Sequence, residues 1–216
     1  MATYKSPVEI KGKIGDLVFY TLNGKPVVRR KSGFSKEGFE NNPNYKRVKE
    51  NSTEFGHCSK SGKAIRVALE PYLGDCKDKY LYQKFAKVMT QIKDMDTVSG
   101  KGKRRIEKGL QSPEAIKILK NFRWGKYENV GENAVSGNAM FTKNITLTKK
   151  LNANSAELIT LKPDLEKLVI ETRSQILPIP KTHSMDFDFQ FDDSALLLYF
   201  LILKKGDDIL FAGFVE

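Results

Sequence analysis

The spacing of apolar residues changes character once along this chain, near Tyr127, and that change limits what the chain can fold into. Before it, from about residue 43 to 122, apolar side chains recur at three- and four-residue intervals; after it the period is two. The first spacing puts one face of a helix against a core, and the second puts one face of a strand there. Helices gathered in the middle and strands gathered at the end predict an α+β fold: an N-terminal β-hairpin, a central three-helix region and a C-terminal antiparallel β-sandwich. The expected division is a basic hairpin-plus-helices domain over residues 1–130 and a small sandwich over residues 131–216. With 216 residues, 40% of them apolar, there is enough material to bury real cores.

The hairpin is predicted over residues 10–31. Ile14 to Leu22 is rich in β-branched and aromatic residues, and Val27-Val28 lies in the return strand. Between the runs stands Asn23-Gly24, the pair best suited to a two-residue turn in which both residues take positive φ. Pro26 removes a ladder donor and predicts that the second strand is an edge there. Gly12 and Gly15 suggest a bulge or a close backbone approach.

A long helix is expected from Pro43, capped by Asn42, to Leu69, stopping before Pro71. At about 100° per residue, Val48, Phe55, Cys58, Gly62, Ile65 and Leu69 share one arc, and Lys46, Lys49, Lys60 and Lys63 share another. Gly56, Ser59, Ser61 and Gly62 are poor helix formers; they either admit a close neighbour or break the helix. A second helix fits Lys77 to Lys93 through Leu81, Phe85, Val88 and Ile92. Thr97 to Lys103 reads as a basic connector leading to Arg104-Arg105. Ser112-Pro113-Glu114 opens a third helix carrying Ile116, Ile118, Leu119 and Phe122. Six strands follow, over residues 141–147, 156–161, 168–172, 185–191, 195–203 and 209–215, with Lys205-Gly206-Asp207 as the last turn.

Charge divides along the same line. Residues 1–130 hold 28 Lys and Arg against 14 Asp and Glu, a surplus of 14, whereas residues 131–216 hold 9 against 12, a deficit of 3; together they give the net +11 of the chain. A cationic front and a near-neutral tail suggest that the front meets a polyanion. Arg29, Arg30 and Lys31, the stripe Lys46, Lys49, Lys60 and Lys63, and the group Lys101, Lys103, Arg104 and Arg105 are the clusters. Lysine and arginine neutralise phosphates and release counterions, and exposed aromatics such as Phe34 and Tyr45 stack on unpaired bases. The candidate nucleic-acid-binding residues are therefore Arg29, Arg30, Lys46, Lys49, Lys60, Lys63, Arg104 and Arg105 for phosphate, with Phe34 and Tyr45 for stacking. A solvated charged face is the plain alternative for any of them. No helix-turn-helix, zinc-finger or RNA-recognition signature points to sequence-specific reading.

Other chemistry is thinly supported. His57 and His183 are the only histidines, so a multi-histidine metal site within one chain is excluded. Cys58 lies on the apolar arc and reads as structural, and with Cys76 it is expected to stay reduced. Gly56 to Ala64 has five residues between its glycines where a phosphate loop has four, and Ala64 stands where a hydroxyl is needed, so that motif is rejected. Asp186, Asp188, Asp192 and Asp193 alternate with Phe187, Phe189 and Phe191 as a strand with one wet face. No catalytic residue, metal site or cofactor is expected. The longest apolar run, Ala195 to Leu203, is far short of the ~20 residues of a membrane-crossing helix. No secretory leader is read at the N-terminus, and the expected location is cytoplasmic.

The segments Gly12-Lys-Ile-Gly-Asp-Leu-Val-Phe-Tyr, Asn23-Gly-Lys-Pro-Val-Val-Arg29, Asn44-Tyr-Lys-Arg-Val-Lys-Glu-Asn51, Glu54-Phe-Gly56 and Gly62-Lys-Ala-Ile-Arg66 resemble a group of uncharacterised Bacteroidota proteins with a short glycine-rich hairpin and a basic helical centre. The resemblance covers about residues 10–125 and implies a bacterial origin, with no activity or catalytic residue to carry over. The functional expectation is a non-enzymatic protein bound to the phosphate backbone of DNA or RNA, structured RNA such as the ribosome's included, with a protein partner or self-association through the β-rich tail. The alternative is a structural assembly subunit of a particle, filament or phage-like shell, built through exposed strand edges. An enzyme whose site forms only in three dimensions is a third reading.

Overall fold

Asn23 and Gly24 take φ of +50° and +77°, which closes the turn that the sequence places between two strands. A computed structural model describes residues 2–31, 36–74, 78–139, 141–192 and 196–215. The chain divides into two units, Met1–Lys46 and Arg47–Glu216. In the first, β1 (Ala2–Thr3), β2 (Gly12–Ile14), β3 (Leu17–Leu22) and β4 (Lys25–Arg30) form an antiparallel sheet in the order β1-β4-β3-β2. The hairpin register pairs Leu22 with Lys25 and Tyr20 with Val27. The strand carrying Pro26 is not an outer edge along its whole length, because β1 pairs with it at Val27 and Val28. Pro26 lies just past that ladder, and its carbonyl accepts the Tyr4 amide. A short helix, α1 (Lys36–Asn41), and a 3-10 turn over Pro43–Tyr45 complete this unit, with Asn42 Oδ1 capping the Asn44 amide at 2.9 Å.

The second unit holds α2 (Lys46–Leu73, whose first residue closes the first unit), α3 (Leu81–Asp94), α4 (Ile106–Gly109) and α5 (Pro113–Lys120). Seven strands follow: β5 (Ala134–Asn138), β6 (Thr142–Leu147), β7 (Ser155–Asp164), β8 (Val169–Pro178), β9 (Ser184–Asp188), β10 (Leu198–Lys205) and β11 (Asp208–Val215). They make two antiparallel sheets, β11-β10-β7-β8 and β5-β6-β9. The fold is α+β, with the helices between the N-terminal and C-terminal sheets in the chain. All six strands expected from the two-residue period are present. The additional one, β5, has the sequence Ala-Val-Ser-Gly-Asn, whose glycine and polar residues mask its register.

The two inner strands of the larger sheet, β7 and β10, are buried on both faces. Along β10, Leu198, Phe200 and Ile202 join one core, and Leu201 and Leu203 join another. The first core is made with α2, α3, α4 and α5 through Ile65, Leu69, Phe85, Ile92, Ile106 and Leu119. The second lies against the smaller sheet through Ile145, Met185 and Phe187. This arrangement explains the unbroken apolar run in β10, since a strand covered on both faces has no side to give to water. Helices and strands thus share a core, so the boundary drawn at residue 130 runs through the interior of the second unit. The centre of that core is aromatic: Phe85, Phe122, Trp124, Phe200 and Phe214 meet at centroid distances of 5.0–6.4 Å. Each phenylalanine buried here contributes roughly 1.5–3 kcal/mol.

Helix α2 follows the expected arc only in its C-terminal part. Cys58, Gly62, Ile65 and Leu69 are buried, but Val48 and Phe55 are exposed and Glu54 is buried in their stead. The helix also runs past Pro71 to Leu73. Gly62 packs against α3, where a Cβ would stand 3.1 Å from Met89 Cγ, whereas a Cβ on Gly56 would meet open space. Gly109 is tighter still, with the Ile92 carbonyl oxygen 2.0 Å from where its Cβ would be. Gly109→Ala should therefore lower stability by about 1–3 kcal/mol or more through overpacking. Gly56→Ala should raise it by about 0.5–1 kcal/mol through helix propensity. Urea unfolding of the two variants checks the opposite signs.

Candidate nucleic-acid interface

Lys60, Lys63 and Arg66 recur at every third residue of α2, a spacing that keeps side chains on one side of a helix. Burial of Cys58, Ser61, Ile65 and Leu69 against the core fixes the rotation of α2 and directs that row away from the core. Opposite stands the turn that opens α3. Asp78 organises this turn: its Oδ1 accepts the Tyr80 amide at 2.9 Å and its Oδ2 accepts from Lys84 Nζ at 2.7 Å. The Lys84 hydrogen bond, with the Tyr80 amide, holds the Asp78 carboxyl below its ordinary value. The turn sets Lys79 and Tyr82 across from α2. Between them lies a cleft of about 1110 Å³, lined by Lys60, Lys63, Arg66, Lys79, Glu70, Asp78 and Tyr82, with Trp124 reaching it from the core.

Four cations line this cleft, and none has a carboxylate partner among the described residues. Arg66 donates its Nε to the Gly62 carbonyl of its own helix at 3.2 Å. Partial burial pushes its pKa down, though a guanidinium stays protonated at neutral pH. Asp78 is already neutralised by Lys84, so among the described residues Glu70 is the remaining acidic side chain on the lining. A concave, cation-rich wall of this kind concentrates positive potential.

The structure distributes the other sequence candidates widely. Lys60 and Lys63 are exposed on the cleft. Arg29 and Arg30 are exposed at the end of β4 in the first unit, Arg30 within 3.9 Å of Asp16. Lys46 is exposed at the start of α2, and Lys49 is half-buried and engaged. Tyr45 is half-buried and its ring packs on Phe39 at 5.6 Å. Phe34 lies outside the described residues, as does Cys76; Cys58 is a buried free thiol whose pKa burial raises to about 11. Arg105 is half-buried and donates to the Arg104 carbonyl at 3.3 Å.

Arg104 is the clear correction. Its Nε and Nη2 donate to the two oxygens of Glu54 at 2.9 and 2.6 Å, and its Nη1 donates to Asp94 at 2.8 Å. Glu54, 2% exposed, also accepts from Lys93 Nζ at 2.9 Å and from the Gly102 amide at 2.7 Å. This network joins α2, α3 and the connector, and Arg104 belongs to it and not to a phosphate-facing set. Arg66, Lys79, Tyr82 and Trp124 were missing from the sequence candidates. The three-residue repeat from Lys60 gives away Arg66. Lys79, Tyr82 and Trp124 carry no such mark, because the packing of α3 on α2 brings them there.

Among the described residues, no group of His, Cys, Asp and Glu is arranged to hold a metal ion, and no helix is long and apolar enough to cross a membrane. The chain matches no protein-family model, no curated protein and no solved structure.

The buried network makes acid sensitivity calculable. Hydrogen bonds from Arg104, then Lys93 and Gly102, hold the Glu54 carboxyl at about 2 against an ordinary 4.5, with burial opposing. Asp96, despite burial, is held at about 2 by the amides of Ser99, Arg105 and Val98. A carboxylate whose pKa is depressed on folding stabilises fully above its unfolded value, and that stability is lost as pH falls toward the folded one. Thermal stability should therefore fall steadily from about pH 4.5 down to about 2. Glu54→Gln should lose about 3–5 kcal/mol at neutral pH and show a shallower acid slope, since it strands the Arg104 and Lys93 charges.

Proposed function

We propose that this protein is a non-enzymatic nucleic-acid-associated protein that grips phosphate backbone, of DNA or RNA and without sequence preference. The observation that carries the reading is the convergence of Lys60, Lys63, Arg66 and Lys79 on one cleft, with no carboxylate partner among the described residues. Such groups exchange condensed counterions for phosphates, and the released ions drive the association.

The alternative of an assembly subunit draws less support. It asks for free strand edges, and both outer strands of the larger sheet are engaged. On β11, the Glu128 amide donates to Leu210 and the Ala212 amide donates to Glu128. On β8, Gln175 exchanges hydrogen bonds with Asp188, and Arg173 donates to the Gln190 carbonyl.

Four phosphate contacts imply a fall in affinity of roughly 50- to 150-fold between about 50 and 200 mM salt. Fluorescence anisotropy of a labelled oligonucleotide measures this directly. Lys60→Glu combined with Lys63→Glu should weaken binding by at least ~10-fold at about 100 mM salt. The same double variant should melt within a degree or two of the parent, since exposed side chains away from partners change stability by about 0.5 kcal/mol or less. Salt-independent binding, or no binding in dilute buffer, defeats the proposal.

A further inference from the structure

The cleft holds more than phosphate chemistry requires. Trp124 is 1% exposed, yet its indole Nε1–H has no hydrogen-bond acceptor among the described residues. An unsatisfied buried donor is uncommon in a folded protein and disfavours the state that contains it. Trp124 is also one of the residues that line the cleft, where the other walls are cationic. On the α3 side of the same cleft, Tyr82 keeps 52% of its surface in water, an aromatic ring without a place in the core. One cleft therefore presents an orphan donor, a solvent-facing ring and a row of cations that includes the partly desolvated Arg66.

From this juxtaposition we infer that the cleft accepts an unpaired nucleotide and so selects single strands over duplex. The inference rests on the phosphate reading above and names the form of nucleic acid that satisfies it. The nucleotide's phosphate meets Lys60, Lys63 and Arg66, and its base lies on the ring of Tyr82, in the cleft that Trp124 also lines. A duplex offers its phosphates on the outside, while its bases stay stacked and paired, leaving no ring face to enter the cleft. An unpaired strand offers phosphate and base at once, and stacking on an aromatic side chain tolerates any base. The volume of about 1110 Å³ accommodates a base together with its sugar and phosphate, whereas a phosphate contact alone needs only a convex patch of lysines.

The chain carries its own reporter, because Trp124 is its one tryptophan. The full-length protein is titrated in dilute salt with an unlabelled oligothymidylate of roughly 12 nucleotides, within the usual span of one single-strand-binding module. A second titration uses the same strand annealed to its complement. Affinities for both come from anisotropy of end-labelled copies. The single strand should bind at least ~10-fold more tightly than the duplex and should shift or quench the tryptophan emission. Tyr82→Ala, at an exposed position, should remove most of that preference by weakening single-strand binding. Equal affinities with unmoved emission overturn the nucleotide inference and leave the phosphate reading standing. Failure of both polymers to bind in dilute salt removes both readings.

Discussion

The fold of the second unit depends on the two inner strands of the larger sheet, which have no wet face. β7 and β10 are flanked by strands on both edges and covered by side chains on both surfaces. Residues of one parity on β10 serve the helices and residues of the other serve the smaller sheet, so one strand ties two cores together. A register slip of one residue exchanges these sets. Phe200 would then turn toward the smaller sheet and Leu201 toward the helices, with neither cavity shaped for its new occupant. The helices have no comparable second surface. α2 and α3 owe their positions to the face of this sheet, and through it to the aromatic group around Trp124.

That dependence reaches the surface. The residues of α2 that meet the core fix its rotation about its own axis, and the rotation decides where Lys60, Lys63 and Arg66 point. At the N-terminal end the anchor is a carboxylate instead of a hydrophobic side chain. Glu54 takes the inward position, with Phe55 outside, because Lys93 and Arg104 bring charge that only an acid can satisfy there. A buried pair of this kind adds little net stability over an apolar replacement, but removing one member leaves the others stranded. It therefore acts as a register pin between α2, α3 and the 97–105 connector.

How much of this the sequence discloses varies by interaction range. The Asn23-Gly24 turn, the Asn42 cap, the Ser112 cap and the six strands of clear two-residue period are local, and each is written in a few neighbouring residues. β5 escapes notice because its glycine and polar residues dilute the alternation. The inward Glu54 breaks the helical apolar arc for a reason located 39 and 50 residues away, at Lys93 and Arg104. The shared core escapes for a similar reason: a change of period marks where one kind of element stops, and says nothing about which faces later meet. Charge counting misleads in the same way. Arg104 and Lys60 count equally toward a net +11, yet one is bound to two carboxylates and the other is exposed on a cleft. The half of the cleft contributed by α2 is legible as a three-residue repeat, and the half contributed by α3 is a consequence of packing.

A protein of this composition has lysines over much of its surface, and most of them are ordinary solvated charges. What distinguishes the α2–α3 cleft is that two of its groups are held in states that water or the fold normally relieves. Arg66 is partly desolvated without an ion pair, and Trp124 keeps a buried donor without an acceptor, among the described residues. Elsewhere in the same unit buried charges are matched: Lys93 to Glu54 and Asp94, Lys204 to Glu157, and the Asp96 carboxylate to three amides. Ser61 Oγ and Glu107 Oε1 are buried orphans too, so an orphan alone marks no site; the cleft is set apart by having one on a wall that also carries cations without an ion pair among the described residues. The nucleotide proposed above would give those cations a phosphate and the Tyr82 ring a base, whereas inorganic phosphate gives only the first.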